Sequence, residues 1–331
     1  MQTGRKIMIN VYDFLNSKIY DKRVKAYRAF YSKNEKGSIY PEITAYAINL
    51  CCILHEKLKD KFYLARAKEC AKYLINLVKK YENMIPFNGK KYTFDTGIFI
   101  SALVDLYKIS KNSLYIKQAK KSLKALLDYW DGEKFLPGDN IDESDWPEFY
   151  SVHLVKLAIP LLKMKKYKIA KKLLKWGMKL QGKNGEFIIN EKNEKVLLHP
   201  HCYATEGFLF AYSITKDRKY LRIAKKASRW LINRQNYDGS VNIGYPSILP
   251  IKAFDATAQA IRIWKVLGIN KKIIEKSESF LNKNVNDNGL PLTKHLLFWK
   301  NKKRVYSWPT FFFIHSKFLK YNNLEEAKYL F

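Results

Sequence analysis

The sequence is short of acidic residues, of cysteine and of long apolar runs, and each shortage narrows what the protein can be. Asp and Glu number 30 against 61 Lys and Arg, so the 331-residue chain carries a net charge of +31. The hydrophobic fraction of 47% is ordinary for a globular protein and excludes an intrinsically disordered chain. No apolar stretch reaches the roughly 18 residues that a membrane-spanning helix needs. We therefore predict a folded protein without a membrane partner.

The four cysteines are too few and too scattered for a disulfide framework or a zinc site. Cys51 and Cys52 are adjacent, Cys70 and Cys202 stand alone, and no two of them have the spacing of metal ligands. Small, buried, reduced side chains are the simplest interpretation. Residues 1–18 contain no continuous apolar stretch, which argues against a signal peptide. We predict a cytoplasmic protein that uses no metal and no cofactor.

An internal repeat organises the chain. Residues 109–127 align without gaps onto residues 214–232, and a third copy surrounds Ala67. A small residue recurs at one position of each copy, with separations of 52, 51, 54 and 53 residues: Ala67, Ala119, Ala170, Ala224 and Ser277. Five copies at nearly constant spacing are typical of a helical-repeat protein.

Each repeat predicts two helices of different character. The first is apolar around its circumference, as a helix buried on all sides must be, and the second is amphipathic with lysines on one face. The predicted inner helices are 42–58, 96–109, 147–164, 200–214, 255–267 and 307–320. The predicted outer helices are 61–80, 112–129, 166–180, 217–235 and 270–283.

A sixth outer helix is missing, and an unpaired amphipathic helix at about 7–20 is available to replace it. A first helix that completes the last hairpin describes a closed ring, whereas an open solenoid needs polar caps at both ends. We predict an all-α fold, an (α/α)6 toroid of six helical hairpins, whose N-terminal helix pairs with the last inner helix. The whole of 1–331 forms one predicted domain with repeats at 41–82, 95–130, 146–181, 200–236, 254–283 and 306–321.

The net charge has two interpretations. A basic surface attracts polyanions such as nucleic acid, anionic lipid or an acidic glycan. A chain rich in Lys, Ile and Asn also results from codon bias or from adaptation to high temperature. The lysines are spread over all the outer helices instead of forming one stripe, which makes nucleic acid a poor candidate.

Six segments between residues 38 and 321 are similar to segments of known proteins: YPEITAY (40–46), FDTGIFISALVDLY (94–107), HPHCYATEGFLFAYSIT (199–215), WLINRQNYDGSV (230–241), FDATAQAIRIW (254–264) and YSWPTFFFIH (306–315). Together they resemble the six-hairpin glycosidase superfamily, in a branch of toroid proteins associated with polysaccharide metabolism. NRQNYDGSV is also distantly similar to the Gln-Asp-Gly turn of terpene cyclases and protein prenyltransferases.

The resemblance implies a fold and a substrate class but no single reaction. Toroids of this kind hydrolyse glycosides, eliminate across uronates, epimerise N-acylglucosamines or cyclise terpenoids. The acid motifs of the cyclases and the zinc ligands of protein prenyltransferases are absent from the sequence. The residue patterns of unsaturated glucuronyl hydrolases and of the epimerases are not matched either. Fold analogy does not choose among the reactions that remain.

The resemblance places the substrate at the mouth of the ring, where the inner helices begin. Six converging helix N-termini present free N–H groups and positive dipole ends there, which supports this placement. The charged and aromatic residues at these starts are Glu42, Asp95, Asp145, Glu148, His199, His201, Asp255 and Trp308. Each acid has an alternative role as an N-cap or first-turn residue.

Two stretches at the predicted mouth have unusual composition. Residues 138–150 gather five acids beside Trp146 and Tyr150, which suits a sugar subsite with paired carboxylates, although a solvated acidic loop has the same composition. In HPHCYATEG, His201 with Tyr46 or Tyr203 could abstract a proton next to a uronate carboxyl group. The alternative is that these histidines bond to nearby backbone groups. His153 and His315 lie inside inner helices, and we expect core positions for both.

We predict a carbohydrate-active enzyme that acts on an oligosaccharide, most simply a glycoside hydrolase. The catalytic candidates are Asp95, Asp145, Glu148, His201 and Asp255. The substrate-binding candidates are Glu42, Tyr46, Trp146, Tyr150, His199, Tyr203, Glu206 and Trp308. The positive charge favours an anionic, uronate-containing glycan. A uronate lyase or sugar epimerase that uses His and Tyr is one alternative, and a non-catalytic glycan-binding or assembly protein of unknown oligomeric state is another.

Overall fold

The structure is a computed structural model that describes residues 9–139, 151–246, 250–295 and 304–331. Within these ranges it contains twelve α-helices, two 3-10 helices and eleven short strands. The inner helices are α2 (Pro41–Leu58), α4 (Thr93–Ser110), α6 (Ala158–Lys163), α8 (Leu198–Thr215), α10 (Phe254–Leu267) and α12 (Ser307–Phe318). The outer helices are α3 (Lys61–Val78), α5 (Ser113–Leu127), α7 (Tyr167–Lys179), α9 (Arg218–Ile232) and α11 (Lys271–Lys283).

The inner helices form a closed ring. Helix α2 packs on α4, α4 on α6, α6 on α8, α8 on α10, α10 on α12, and α12 returns to α2. Every residue from Pro41 to Leu54 is buried, as an inner helix surrounded by neighbours requires. The predicted all-α toroid of helical hairpins is therefore confirmed.

Three of the hairpins have the same kind of short turn between the inner and the outer helix. Helices α2, α4 and α8 each end at a lysine in the left-handed conformation, and the next residue is an Asp or Asn whose side chain accepts a hydrogen bond from the first turn of the outer helix. These turns are Lys59-Asp60, Lys111-Asn112 and Lys216-Asp217. A two-residue connection leaves the outer helix antiparallel to the inner one.

Short antiparallel strands frame the mouth of the ring. They are β1 (Tyr20–Asp21) with β2 (Ala26–Tyr27), β3 (Phe30–Tyr31) with β11 (Val305–Tyr306), β4 (Ile85–Phe87) with β5 (Lys90–Tyr92), β6 (Val196–Leu197) with β8 (Gly244–Tyr245), and β9 (Lys252–Ala253) between β7 (Val241–Asn242) and β10 (Thr293–Lys294). The β3–β11 pair places Phe30 opposite Tyr306 and so joins the N-terminal region to the last hairpin.

The N-terminal helix is shorter than the predicted 7–20. In the part that the structure describes, α1 spans Val11–Asn16, and the chain then enters β1. The guanidinium of Arg66 donates a hydrogen bond to the carbonyl of Leu15 at the end of this helix. Phe14 lies edge-on to Phe311 of α12, with ring centroids 5.8 Å apart. The predicted pairing with the last inner helix is confirmed, although the helix itself is only six residues long.

The third inner helix is also interrupted. The sequence predicts one helix over 147–164, of which 147–150 lie outside the described residues. The structure shows a 3-10 helix at Val152–Leu157 that continues into α6. Pro160 explains the change, because proline lacks an N–H and its ring clashes with the carbonyl four residues earlier, that of Lys156.

The segment 324–331 closes the ring at the end opposite the mouth, which the sequence did not predict. Its 3-10 helix (Leu324–Tyr329) contacts α8 and α10, and Glu326 lies 3.0 Å from the ammonium of Lys57 near the end of α2. The ring of Phe331 packs against His315 at 4.7 Å, and Arg262 donates to the carbonyl of Phe331 at 3.1 Å. This segment contacts inner helices and covers their ends, so it does not take the place of a sixth outer helix.

The four cysteines are buried and unbonded, as predicted. His153 and His315 are 1% and 0% exposed, which confirms their core positions. No helix in the ranges described combines the length and the apolar character needed to cross a membrane.

Candidate active site

A cavity of about 380 Å³ lies at the mouth of the ring. Five inner helices each contribute their second or third residue to its wall: Glu42, Asp95, His199, Asp255 and Trp308. These positions follow from the repeat, because each helix begins at the same height in the ring. The mouth cavity therefore collects chemically active side chains from distant parts of the chain.

The order of helices in the ring fixes which side chains face each other. Counting around the ring, α4 is opposite α10 and α2 is opposite α8. Asp95 on α4 therefore lies across the mouth from Asp255 on α10, while Glu42 lies across from His199 and next to Asp95. The cavity holds an acid pair on one side and a carboxylate–histidine pair on the other.

Aromatic rings line much of the remaining wall. Tyr40 lies 6.3 Å from Trp308, and Phe94 lies 5.0 Å from Tyr203, measured between ring centroids. Phe30, Phe87 and Tyr306 complete the aromatic lining. Aromatic faces offer flat apolar surfaces, and the Tyr hydroxyl groups add hydrogen-bonding capacity. Such a wall suits a ligand with flat, partly apolar faces and many hydroxyl groups.

Glu42 and Asp95 are buried acids at the cavity wall. Asp95 is 1% exposed, and neither of its carboxyl oxygens has a hydrogen-bond partner among the residues described. Burial and the neighbouring charge of Glu42 raise the pKa of Asp95 well above its usual value. Burial raises the pKa of Glu42 to about 7, and the Tyr40 hydroxyl and the Lys156 ammonium oppose this rise. Near neutral pH this pair holds a proton that it can donate.

Asp255 is also buried but, unlike Asp95, has a polar group close to each of its carboxyl oxygens. Its Oδ1 accepts a hydrogen bond from the amide of Ala256 at 2.7 Å, and its Oδ2 lies 3.3 Å from Nδ1 of His199. Burial lowers the pKa of His199, against the opposing effect of Asp255, and the imidazole stacks edge-on to Tyr203 at 4.3 Å. A neutral imidazole beside a carboxylate orients that carboxylate toward the cavity.

A buried charge cluster lies directly behind the wall. The ammonium of Lys156 donates to Oε2 of Glu206 at 2.8 Å, and the guanidinium of Arg262 lies 3.4 Å from the other oxygen. The same ammonium lies 4.0 Å from the ring centre of Tyr203, whose hydroxyl accepts a hydrogen bond from Tyr46 at 2.9 Å. Burial lowers the pKa of Lys156 to about 8. This cluster holds Tyr203 in place and puts a positive charge near Glu42.

The structure separates the predicted site residues into groups. Glu42, Asp95, His199, Tyr203, Asp255 and Trp308 line the mouth cavity. Tyr46 and Glu206 are fully buried behind its wall. Asp145, Trp146, Glu148 and Tyr150 lie outside the described residues, as do most acids of that loop. The first acid of the loop, Asp139, is described, and it contacts the hydroxyl of Tyr129 and the ammonium of Lys91.

His201 does not reach the cavity. It is fully buried, its Nδ1 accepts a hydrogen bond from the amide of Phe187 at 3.1 Å, and its Nε2 lies 3.2 Å from the carbonyl of Ala227. Burial lowers the pKa of His201 to about 4, so the ring is neutral. The imidazole ties a loop and helix α9 to α8, and its position does not support the predicted catalytic role.

Lys156 and Arg262 were missed by the sequence analysis, although a signal was present. Each is a single cation inside an otherwise apolar inner helix segment, SVHLVKLAIP and AQAIRIW. A buried cation requires a buried anion, and Glu206 is the acid in the middle of the neighbouring inner helix. In the ranges described, no group of three or more His, Cys, Asp or Glu is placed to hold a metal ion.

No protein-family profile and no curated protein sequence matches the chain. Solved structures match across most of its length. The cellobiose 2-epimerase from Bacillus thermoamylovorans superposes with a TM-score of 0.73 at 13% identity, covering 94% of each chain. The chain has the six-hairpin toroid fold.

Two further solved structures share this toroid. An unsaturated glucuronyl hydrolase from a Bacillus species, described as responsible for the degradation of glycosaminoglycan, superposes with a TM-score of 0.68 at 10% identity over 88% of this chain and 90% of its own. An α-1,6-mannanase from a Salegentibacter species superposes with a TM-score of 0.67 at 14% identity over 93% of this chain and 96% of its own. These likenesses extend to the fold and give no residue correspondence for the site.

Proposed function

We propose that the protein is a carbohydrate-active enzyme that hydrolyses glycosidic bonds in the mouth cavity. The observation that carries the proposal is the placement of protonatable acids, Asp95 and Glu42, across an aromatic-walled cavity from the carboxylate of Asp255. Glycoside hydrolysis requires two carboxyl groups with different protonation states on either side of the scissile bond. All three comparison proteins bear the names of enzymes that act on carbohydrates, which is consistent with this use of the fold.

Each residue has a defined role in this proposal. Asp95, whose proton is retained by burial and by Glu42, donates it to the glycosidic oxygen as the bond to the anomeric carbon breaks. Asp255, oriented by the amide of Ala256 and by His199, either activates a water molecule or attacks the anomeric carbon directly. Its separation from the acid sets the outcome: about 6.5–9.5 Å suits inversion and about 5–5.5 Å suits retention. Either route consumes one water molecule per bond.

The lining favours an uncharged sugar in the described part of the cavity. Among the residues that the structure describes, the lining side chains include three carboxyl groups and no lysine or arginine. The nearest buried cations, Lys156 and Arg262, already pair with Glu206. The basic residues that give the chain its net positive charge are therefore not part of this wall, and we expect neutral oligosaccharides to bind here better than uronates.

A cytoplasmic location stays a prediction.

A second candidate reaction is proton abstraction from a carbon next to a carbonyl group. The neutral imidazole of His199 lines the cavity and lies against Tyr203, so the two side chains could act as base and acid in an epimerase or a lyase. His199 replaces His201 in this alternative, because only His199 reaches the cavity.

The test is a panel of neutral and uronate-containing oligosaccharides incubated in heavy water, with mass spectrometry of the products. Hydrolysis adds water to the products, elimination splits the chain without water, and epimerisation incorporates deuterium without cleavage. We expect cleavage with addition of water for at least one neutral oligosaccharide. Deuterium incorporation alone would favour the His199 reaction. No change in any substrate, together with measurable binding, would identify a glycan-binding protein.

A further inference from the structure

A second cavity of about 290 Å³ adjoins the mouth cavity. His199, Asp255 and Leu292 belong to both walls, so the two spaces meet at the carboxylate–histidine pair. Apart from that pair, the second cavity is lined by aliphatic residues and one neutral hydroxyl group. These residues are Leu197, Pro200, Ile243, Ala253, Leu292 and Thr293.

The backbone holds these aliphatic walls against the starts of two inner helices. The amide of Leu198, the first residue of α8, donates to the carbonyl of Ile243 at 2.8 Å. The amide of Phe254, the first residue of α10, donates to the carbonyl of Leu292 at 3.0 Å. Because the next residues are His199 and Asp255, the position of the apolar walls is tied to the position of the reactive pair.

The chemistry of this second cavity differs from that of the mouth cavity. Among the residues described, its lining has no aromatic face and Thr293 is its one neutral polar side chain, so it offers little to the ring hydroxyl groups of a sugar. Ile243, one of the lining residues, is 36% exposed, although large aliphatic side chains are normally buried. An apolar cavity of roughly 150 Å³ already accommodates a benzene-sized molecule. The second cavity has room for an aliphatic chain of several carbons.

We propose that the second cavity binds an apolar substituent, of the acyl type, on the sugar that occupies the mouth cavity. The inference rests on the proposed function, because it assumes that a sugar lies at Asp255. A substituent on the bound sugar fits better than the leaving group, since the acid that protonates the leaving group lies on the opposite wall. The substrate class is then an acylated sugar instead of a fully hydroxylated one.

The test uses N-acylglucosamines with acyl chains of two, four and six carbons as probes, and ligand-observed NMR as the measure of binding. Each methylene that enters an apolar site raises the affinity about threefold to fourfold. We expect that rise with chain length for the native protein. Ile243→Asp should abolish the dependence on chain length and leave binding of the two-carbon probe in place. Leu292→Ala should weaken the dependence, and circular dichroism shows whether each variant is folded.

Ile214→Asp is the matched control, because Ile214 is 43% exposed near the opposite end of α8. It should bind all three probes as the native protein does. Equal affinities for the three probes, no binding of any, or a dependence on chain length that survives Ile243→Asp would overturn the proposal. Binding that rises with chain length without turnover of any oligosaccharide would keep the apolar subsite and reject the hydrolase.

Discussion

Replacing Glu42 with Gln should change how stability depends on pH. Burial raises the pKa of Glu42 from 4.5 in a free side chain to about 7 in the folded protein. As the pH rises, the unfolded chain loses this proton first, while the folded protein keeps it. The free energy of unfolding contributed by Glu42 is therefore highest below pH 4.5 and falls as the pH rises to about 7. The difference in pKa corresponds to roughly 3 kcal/mol.

Chemical denaturation of the native protein and of Glu42→Gln between pH 4.5 and pH 8 measures this contribution. The difference between the two curves reports Glu42 together with its coupling to Asp95, because the variant also removes the charge that helps to raise the pKa of Asp95, whereas the buried histidines contribute to both curves. We expect the variant to gain roughly 3 kcal/mol relative to the native protein across this range. Glu275→Gln, at an exposed position on α11, should reproduce the native curve. Parallel curves for the native protein and Glu42→Gln would refute the burial of an ionisable acid at this wall.

Two predictions concern stability elsewhere. Lys156→Met should lower the free energy of unfolding by about 3–5 kcal/mol, because it leaves Glu206 without its closest cation. The double variant with Glu206→Gln should recover part of that loss. Chemical denaturation measures both variants, and an unchanged free energy in the single variant would contradict the buried pair. Gly239→Ala should destabilise the protein more than Gly132→Ala in thermal unfolding. Both glycines have a positive φ, which costs roughly 1–3 kcal/mol in other residues. At Gly239, unlike Gly132, the new methyl group would also lie 2.2 Å from the carbonyl oxygen of Lys276. Equal losses at the two glycines would contradict the close contact with α11.

The sequence predicts the hairpins well because each inner helix is apolar on all sides. The inner helix predicted at 42–58 is α2, Pro41–Leu58, in the structure. It ends there because Lys59 adopts the left-handed conformation and Asp60 caps the next helix. The third inner helix was harder, since Pro160 sits inside an apolar run that gives no sign of a 3-10 segment. The closing segment 324–331 is too short to read as a helix, and its contacts are made with residues far away in sequence.

The residues at the mouth could be predicted only as accurately as the first residue of each inner helix. His199 and His201 show the limit: two residues apart, they point about 200° away from each other on an α-helix, so only one of them can face the cavity. Nothing in HPHCYATEG selects between them, because the partner of His201 is the amide of Phe187 from a distant loop. That Asp95 and Asp255 lie across the mouth from each other is known only once the positions of α4 and α10 in the ring are known.

The central claim is that Asp95 and Asp255 form the two halves of a hydrolytic site. The most direct measurement compares turnover and binding of a cleaved oligosaccharide by Asp95→Asn, Asp255→Asn and the exposed control Glu275→Gln. We predict that each Asp variant loses at least about a hundredfold in turnover while it still binds the oligosaccharide, and that the control is unchanged. Native turnover in either Asp variant would contradict the account.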